Sequence, residues 1–378
     1  MLEHLISPRK RSESEVEAWL LATLRGKAGT LPPPGAPDRR IEAASKQGVD
    51  ALVASQITDI ADGYWQEQRI WRQHLTGCVA EDAARHRELQ RLVDAWSTAE
   101  LAPLLLKGSG LAYTHYPSPW LRPQSDVDVW CADRDANAMR ACLERSGYRA
   151  VLEWNNDGKH QFQYVRTDSC GVDRLVEVHL RLANPAVFAS ALTFAEAYVT
   201  AVAVPQVAGA LTLSPPHALF LACVHRAAHH FGSRRLIWLY DIHLLARALS
   251  AGEWLTYVAL ASASQTRTVC LDGLTVTAAA FGTAVPPAVY AALAMPAAES
   301  SAAFLHEIRE VDVRWSNLRA THRWGDRLAL ISAWLAPSRA YMVRRYGVRH
   351  TALLPLWYVF RVVARIPHWF PRYRNGAP

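Results

Sequence analysis

The stretch Leu104-Leu105-Leu106-Lys107-Gly108-Ser109-Gly110, followed downstream by Ser125-Asp126-Val127-Asp128-Val129, decides how this chain is read. Three leucines closed by Lys-Gly-Ser-Gly predict a short buried strand turning into a helix. Val127 and Val129 mark a second strand, and the strand period of two places Asp126 and Asp128 on one face of it. Two carboxylates that point the same way can grip one hard divalent cation. A glycine turn at a helix start offers backbone N–H groups to a phosphate. Taken singly, each feature is better explained by an ordinary turn or by a pair of solvated aspartates.

Outward from this stretch, a helix is expected from about Arg134 to Arg145, ended by Ser146-Gly147. Tyr148–Trp154, Gln161–Arg166 and Leu175–Arg181 alternate like strands. The segment therefore predicts an α+β core with a small mixed sheet. Upstream, Ser12 and Glu15 have capping-box spacing, and KAGTLPPPGAPD reads as a linker or exposed loop. From about Arg40 to Ser97 the pattern is helical, with Trp65, Ile70, Trp71, Leu75, Leu89, Leu92, Val93 and Trp96 as inward positions. Past Ser214-Pro215-Pro216, a cap with proline in the first turn, the chain reads as helical almost throughout. The expected organisation is a helical region over 1–99, a catalytic core over 100–213, a helical domain over 214–350 and a basic amphipathic tail over 351–378.

Composition bounds the reading. At 378 residues, 51% apolar and 20% charged, the chain is an ordinary globular protein of roughly two domains. No continuous apolar run reaches the roughly 18 residues of a membrane span. The nearest, Phe194 to Leu213, is broken by Glu196, Pro205 and Gly209. MLEHLISPRKRSESE lacks a signal-peptide core, so a cytoplasmic location is expected. Cys78, Cys131, Cys142, Cys170, Cys223 and Cys270 form no CxxC pair, so neither a zinc cage nor a disulfide framework is expected. Net charge is +7, but nine arginines and no acidic residue follow Asp326. Setting those nine aside leaves 32 basic against 34 acidic residues, a net charge near −2. Any polyanionic partner must therefore meet the C-terminal segment.

In combination the turn, Asp126, Asp128 and a further carboxylate on a later strand, Glu177, supply what nucleotidyl transfer needs: a phosphate cradle and ligands for metal ions. At these residues the sequence resembles the uncharacterised nucleotidyltransferase family of the polymerase-beta-like superfamily. The resemblance rests on Leu106-Lys107-Gly108-Ser109, Tyr116-Pro117, Arg122, Ser125-Asp126-Val127-Asp128-Val129 and Glu177-Val178-His179, and extends to His225, His229 and Tyr240-Asp241-Ile242. It implies that the Gly108-Ser109 turn binds a triphosphate and that Asp126 and Asp128 ligate two Mg²⁺ ions. Glu177 would share a metal or activate the acceptor hydroxyl. Seventeen residues, Ser109 to Ser125, separate Gly108 from Asp126, more than in small members of the superfamily.

The neighbours are read more openly. Lys107 can reach a phosphate or stay solvated, and Arg122 can clamp the triphosphate or serve its loop. His179 can orient the acceptor but is read first as a core hydrogen-bonding residue. His217, His225 and His229 share a helical face at steps of eight and four near Asp241, where a buried His–Asp hydrogen bond is the simplest expectation. The expected activity is Mg²⁺-dependent transfer of an NMP from an NTP to an unidentified hydroxyl or phosphate of a small molecule, peptide, protein or RNA. A non-catalytic nucleotide-binding or scaffold protein is the alternative. RNA is left open because the tail mixes arginines with aromatics, but no motif supports it. In that tail Trp357, Phe360, Val363, Ile366 and Phe370 alternate with Arg361, Arg365 and Arg372. They are expected to pack on the helical layer with the arginines in water, without membrane contact.

Overall fold

The structure, a computed structural model, describes residues 8–26, 33, 36–57, 65–151, 160–296, 298–306, 310–320, 324–336, 339–348 and 350–369. Strands β1 (Leu104–Leu105), β2 (Asp126–Trp130), β3 (Arg149–Ala150), β4 (Gln161–Thr167), β5 (Asp173–His179), β6 (Val202–Ala203) and β7 (Leu211–Thr212) form one seven-stranded sheet. Its order is β3-β4-β5-β2-β1-β7-β6. The β2–β5 and β1–β7 pairs are parallel and the others antiparallel, so the sheet is mixed as expected.

Among the described residues, four helices precede the sheet: α1 (Pro8–Leu24), α2 (Pro37–Gln47), α3 (Asp50–Ile57) and α4 (Trp65–Thr98). Between strands lie α5 (Lys107–Thr114), α6 (Ala136–Arg145), α7 (Ala186–Ala189) and α8 (Phe194–Val199). After β7 come α9 (Pro215–His230), α10 (Leu236–Ala248), α11 (Ala251–Ala263), α12 (Arg267–Phe281) and α13 (Pro287–Leu293). The last four are α14 (Glu310–Ala320), α15 (Trp324–Leu335), α16 (Arg339–Tyr346) and α17 (Leu354–Trp369). None of the described helices is long and apolar enough to cross a membrane.

Strand alternation divides the core. Val127, Val129, Val176, Val178 and Leu105 face one side, where they pack with Leu89, Leu92, Val93 and Trp96 of α4 and with Met139 and Leu143 of α6. Leu104, Leu106 and Trp130 face the other. There a larger cluster joins Trp19 and Leu20 of α1, Val53 of α3 and Trp71 of α4 to Phe220 of α9, Ile242 of α10 and Leu274 of α12. Helices before residue 100 and helices after residue 214 thus share one apolar core. Asp126 and Asp128, in phase with Trp130, face that helical layer.

The helix after β1 approaches the sheet edge closely. A Cβ on Gly110 would stand 2.2 Å from Thr212 Oγ1 and 3.3 Å from the Leu105 carbonyl oxygen. Thr212 Oγ1 donates to that same carbonyl at 2.8 Å. Gly110→Ala therefore forces Thr212 to rotate and break the bond, or shifts α5 off β7. We expect a loss of about 1–3 kcal/mol in stability, the usual cost of overpacking, measured by urea unfolding.

Several expectations are corrected. The helix α1 begins at Pro8, ahead of Ser12, because proline starts a helix without losing a needed donor. Of Tyr148–Trp154 only Arg149–Ala150 is strand, and 152–159 lie outside the described residues. Trp71, Leu89, Leu92, Val93 and Trp96 are buried as expected, while Trp65 lies outside the described burial. Among the cysteines, Cys131, Cys142, Cys223 and Cys270 are buried, Cys78 is half-buried and Cys170 is exposed, all as free thiols.

The tail also departs from expectation. Arg361 is buried, whereas Leu356, Val359, Phe360 and Val363 of α17 are exposed. The reason is that, among the described residues, α16 and α17 cover mainly each other, through Met342, Tyr346, Leu354 and Trp357 with Val348 between the helices, which leaves one edge of the apolar stripe uncovered. Phe370 and Arg372 lie outside the described residues, as do the side chains of Arg365 and Ile366.

Candidate active site

A cavity of about 500 Å³ opens between the α5 turn, the carboxylate face of the sheet and the facing parts of α9 and α10. Its lining includes Lys107, Gly108, Ser109, Asp126, Asp128 and Glu177. Five expected positions thus come together through two elements, β2 and the turn that opens α5. The sixth, Glu177, arrives through the parallel β2–β5 pairing, whose register sets Asp128 directly beside it.

The donor atoms of Asp128, Glu177 and His179 all lie within 4.8 Å of one another. His179 Nε2 is 2.9 Å from Asp128 Oδ1 and 3.7 Å from Glu177 Oε2. Glu177 Oε1 accepts from Gln163 Nε2 at 3.3 Å, which turns Oε2 toward the cluster. Asp126 stands outside this group. Two residues along a strand is about 6.6 Å, and its carboxylate accepts from the Ser125 hydroxyl at the cavity rim. His179, read first as a core residue, is buried but also belongs to this donor set.

Lys107 is the cation that meets the carboxylates directly. Its Nζ donates to Asp128 Oδ1 at 2.8 Å and lies 3.5 Å from His179 Nε2. Its φ of +49° is unusual for a residue with a side chain, and such backbone costs of order 1–3 kcal/mol, persisting only where the surroundings over-determine it. The side-chain contact with Asp128 is one such constraint. Burial acts to raise the Asp128 carboxyl, but Lys107 and then His179 outweigh it and hold the group well below the usual carboxylate range. Burial acts to lower Lys107, and Asp128 followed by Glu177 reverse this, so the ammonium is held charged. Asp126 has the opposite shift: burial, then the charge of Asp128, raise its pKa.

The turn is more committed than its sequence suggests. The Asp128 amide donates to Ser109 Oγ at 3.0 Å, and the Ser109 amide donates to the Leu106 carbonyl at 3.0 Å. The donors of the first turn left without an intrahelical acceptor are the N–H groups of Lys107 and Gly108. A Cβ on Gly108 would lie 3.2 Å from both Arg122 Nη1 and Gln124 Cγ, so this glycine keeps the approach to those donors narrow but open. Ser109→Ala removes one buried hydrogen bond to β2. We expect about 1 kcal/mol of lost stability and a small loss in nucleotide affinity through a displaced Asp128, read by unfolding and by nucleotide titration.

Arg122 is held from the far side. Its Nε and Nη2 bond bidentately to Asp241 of α10 at 2.9 and 2.8 Å, and Nη1 donates to the Pro123 carbonyl. Tyr116 Oη donates to Asp241 Oδ1 at 2.7 Å. Asp241 therefore binds Arg122 and Tyr116 rather than a histidine, because the extended loop before β2 reaches it first. His217 instead pairs with Thr200 Oγ1 at 3.1 Å. His225 and His229 lie near each other, and His230 stacks on Trp238 with ring centroids 3.7 Å apart. Burial first, then the charge of Lys107, pushes His229 down to about 3 and His230 down to about 4, so both rings are neutral at pH 7. His230, Trp238 and Arg235 line the cavity wall opposite the turn, and no local spacing in the sequence pointed to them.

The comparison with family models is decisive here, because residues 33–282, or 250 of 378, match a model described as an uncharacterised nucleotidyltransferase. The chain belongs to that family. The matched span of this nucleotidyltransferase holds the whole cavity, including Asp241 of α10. Comparison with curated proteins returns no match. Among solved structures, the antibiotic-resistance factor ANT(2″)-Ia is similar at 14% identity, with 51% of this chain and 98% of that chain covered and a TM-score of 0.35.

Proposed function

We propose that this nucleotidyltransferase moves an NMP from an NTP to an acceptor hydroxyl or phosphate, with Mg²⁺ held by Asp126, Asp128 and Glu177. The observation that carries the reading is the side-by-side register of Asp128 and Glu177 on parallel strands, facing a cavity whose other wall is the glycine turn. The residues fit a hard divalent cation. Asp126, Asp128 and Glu177 supply oxygen donors, and a protein cation, Lys107, already lies against Asp128, which marks the group as charged and in need of a cationic partner. When bound there, magnesium neutralises the triphosphate and favours ionisation of the acceptor oxygen.

The chain's own groups do the remaining work. The N–H groups of Lys107 and Gly108 are placed to hold phosphate oxygens at the start of α5. Lys107 Nζ can pass from Asp128 Oδ1 to a phosphate oxygen within the same cavity. Glu177 Oε2, on the acceptor side, can take the proton of the attacking hydroxyl while Gln163 fixes Oε1. The acceptor oxygen then bonds to the α-phosphorus and pyrophosphate leaves. Neutral His225 and His230 leave the cavity's positive charge to Lys107, Arg122 and Arg235.

The test is transfer from each NTP labelled at the α-phosphorus, with Mg²⁺, in a lysate of the host. Label should appear on an acceptor with release of pyrophosphate, and chelation of divalent metal should stop it. Absence of label transfer from all four NTPs, with hydrolysis also absent, counts against the reading.

A further inference from the structure

A second group of donor atoms lies outside the machinery described above, where α3 meets α4. Asp50 is the first residue of α3, and His74 and Cys78 stand one turn apart on α4. His74 Nε2 is 2.7 Å from Asp50 Oδ2 and 3.6 Å from Cys78 Sγ, and Sγ is 4.0 Å from Oδ2. We propose that Asp50, His74 and Cys78 form a zinc site with three protein ligands and solvent in the fourth position.

The geometry separates a ligand set from a nucleophile with its base. In a Cys–His–Asp relay the two ring nitrogens serve different partners. Here the carboxylate and the thiol both converge on Nε2, as donors around one ion do. Zinc bonds of about 2.3 Å to sulfur and about 2.0–2.2 Å to nitrogen and oxygen, in tetrahedral array, place donors about 3.3–3.6 Å apart. The three observed edges straddle that range, so an ion enters with shifts of about half an ångström. A thiolate with an imidazole selects zinc over magnesium or calcium.

The surroundings suit such a site. The Trp71 ring packs edge-on against the His74 ring, with centroids 6.2 Å apart, and holds its orientation. Asp50 is nearly buried while about a quarter of the His74 side chain reaches solvent, which gives an entry path. Without an ion the same three groups hold a proton: hydrogen bonds to Asp50 and then to Cys78 push the His74 imidazole up to about 10. Zinc must displace that proton. The ion would brace the start of α3 against α4, two residues from Gly48 on the cavity wall. No CxxC pair announces the site, because its ligands are one helical i, i+4 pair and an aspartate on another helix.

The experiment uses the full chain and zinc alone as the probe. Zinc bound to the isolated protein is counted, and its affinity is measured by competition with a chromogenic chelator. About one zinc per chain is expected outside the carboxylate cavity, with affinity falling at least about tenfold in Cys78→Ala. That variant keeps the Asp50–His74 contact and hence the fold, which circular dichroism checks, and His74→Ala serves as the second variant. Cobalt substitution separates this site from Asp128, Glu177 and His179, because only Cys78 can give a thiolate-to-cobalt charge-transfer band. Zinc content and affinity unchanged in both variants, or a cobalt spectrum without that band, overturns the proposal.

Discussion

Changing Asp128 to Asn is expected to weaken Mg²⁺-dependent NTP binding by about 10–100-fold, or about 1.4–2.8 kcal/mol, and to depress transfer at least as much. The substitution keeps the shape but removes the charge that Lys107 and any divalent cation share. Asp126→Asn should weaken Mg²⁺-dependent binding too. Its effect on stability should be smaller, because Asp126 sits at the cavity rim and Asp128 is buried. Glu177→Gln separates the roles. It retains the oxygen that accepts from Gln163, so Mg·NTP affinity should stay within a few-fold while transfer falls by about 10²-fold or more, the scale of a lost general base. Titration of a non-hydrolysable NTP with and without Mg²⁺, beside single-turnover transfer, reads both quantities. Unchanged binding and turnover in the two aspartate variants would sink the proposed mechanism. Full activity in Glu177→Gln would assign the proton to another group.

Asp241→Ala should be the most destabilising single change near the cavity that leaves every proposed metal ligand in place. It removes the bidentate partner of Arg122, whose side chain is 11% exposed, and the acceptor of the Tyr116 hydroxyl. A buried cation deprived of its partner costs about 3–5 kcal/mol. That is a large share of the roughly 5–15 kcal/mol that holds an ordinary domain folded. The loss should reach the nucleotide as well, because Arg122 adjoins Gly108 and its loop leads into Asp126. The double change Arg122→Met with Asp241→Leu should recover much of the stability, since apolar residues of similar size avoid the desolvation cost. Equilibrium urea unfolding of the single and double variants tests this. A loss under about 1 kcal/mol in Asp241→Ala would show that Arg122 finds other partners.

What was legible in the sequence was local. Strand period alone put Asp126 and Asp128 on one face, and the glycine turn after Leu106 announced a helix start, because both depend on neighbours a few residues away. The capping signal at Ser214-Pro215 and the stop at Gly147 were legible for the same reason. The tail was misread because its stripe fixes which residues are apolar but not which surface covers them. The scattered cysteines argued against a zinc cage, and the grouping of Asp50 with His74 and Cys78 was not read because the aspartate and the His–Cys pair belong to different helices.

The sequence by itself thus determined the strands that carry the carboxylates, the helical character of the flanking regions, the family and the carboxylates facing one way. Only the tertiary structure decided that Glu177 stands beside Asp128, that Lys107 turns back into them, and that Arg122 closes on Asp241 rather than leaving it to a histidine. Each of these joins residues between 21 and 119 positions apart, a separation over which strand pairing and burial of charge, not local backbone preference, select the partner.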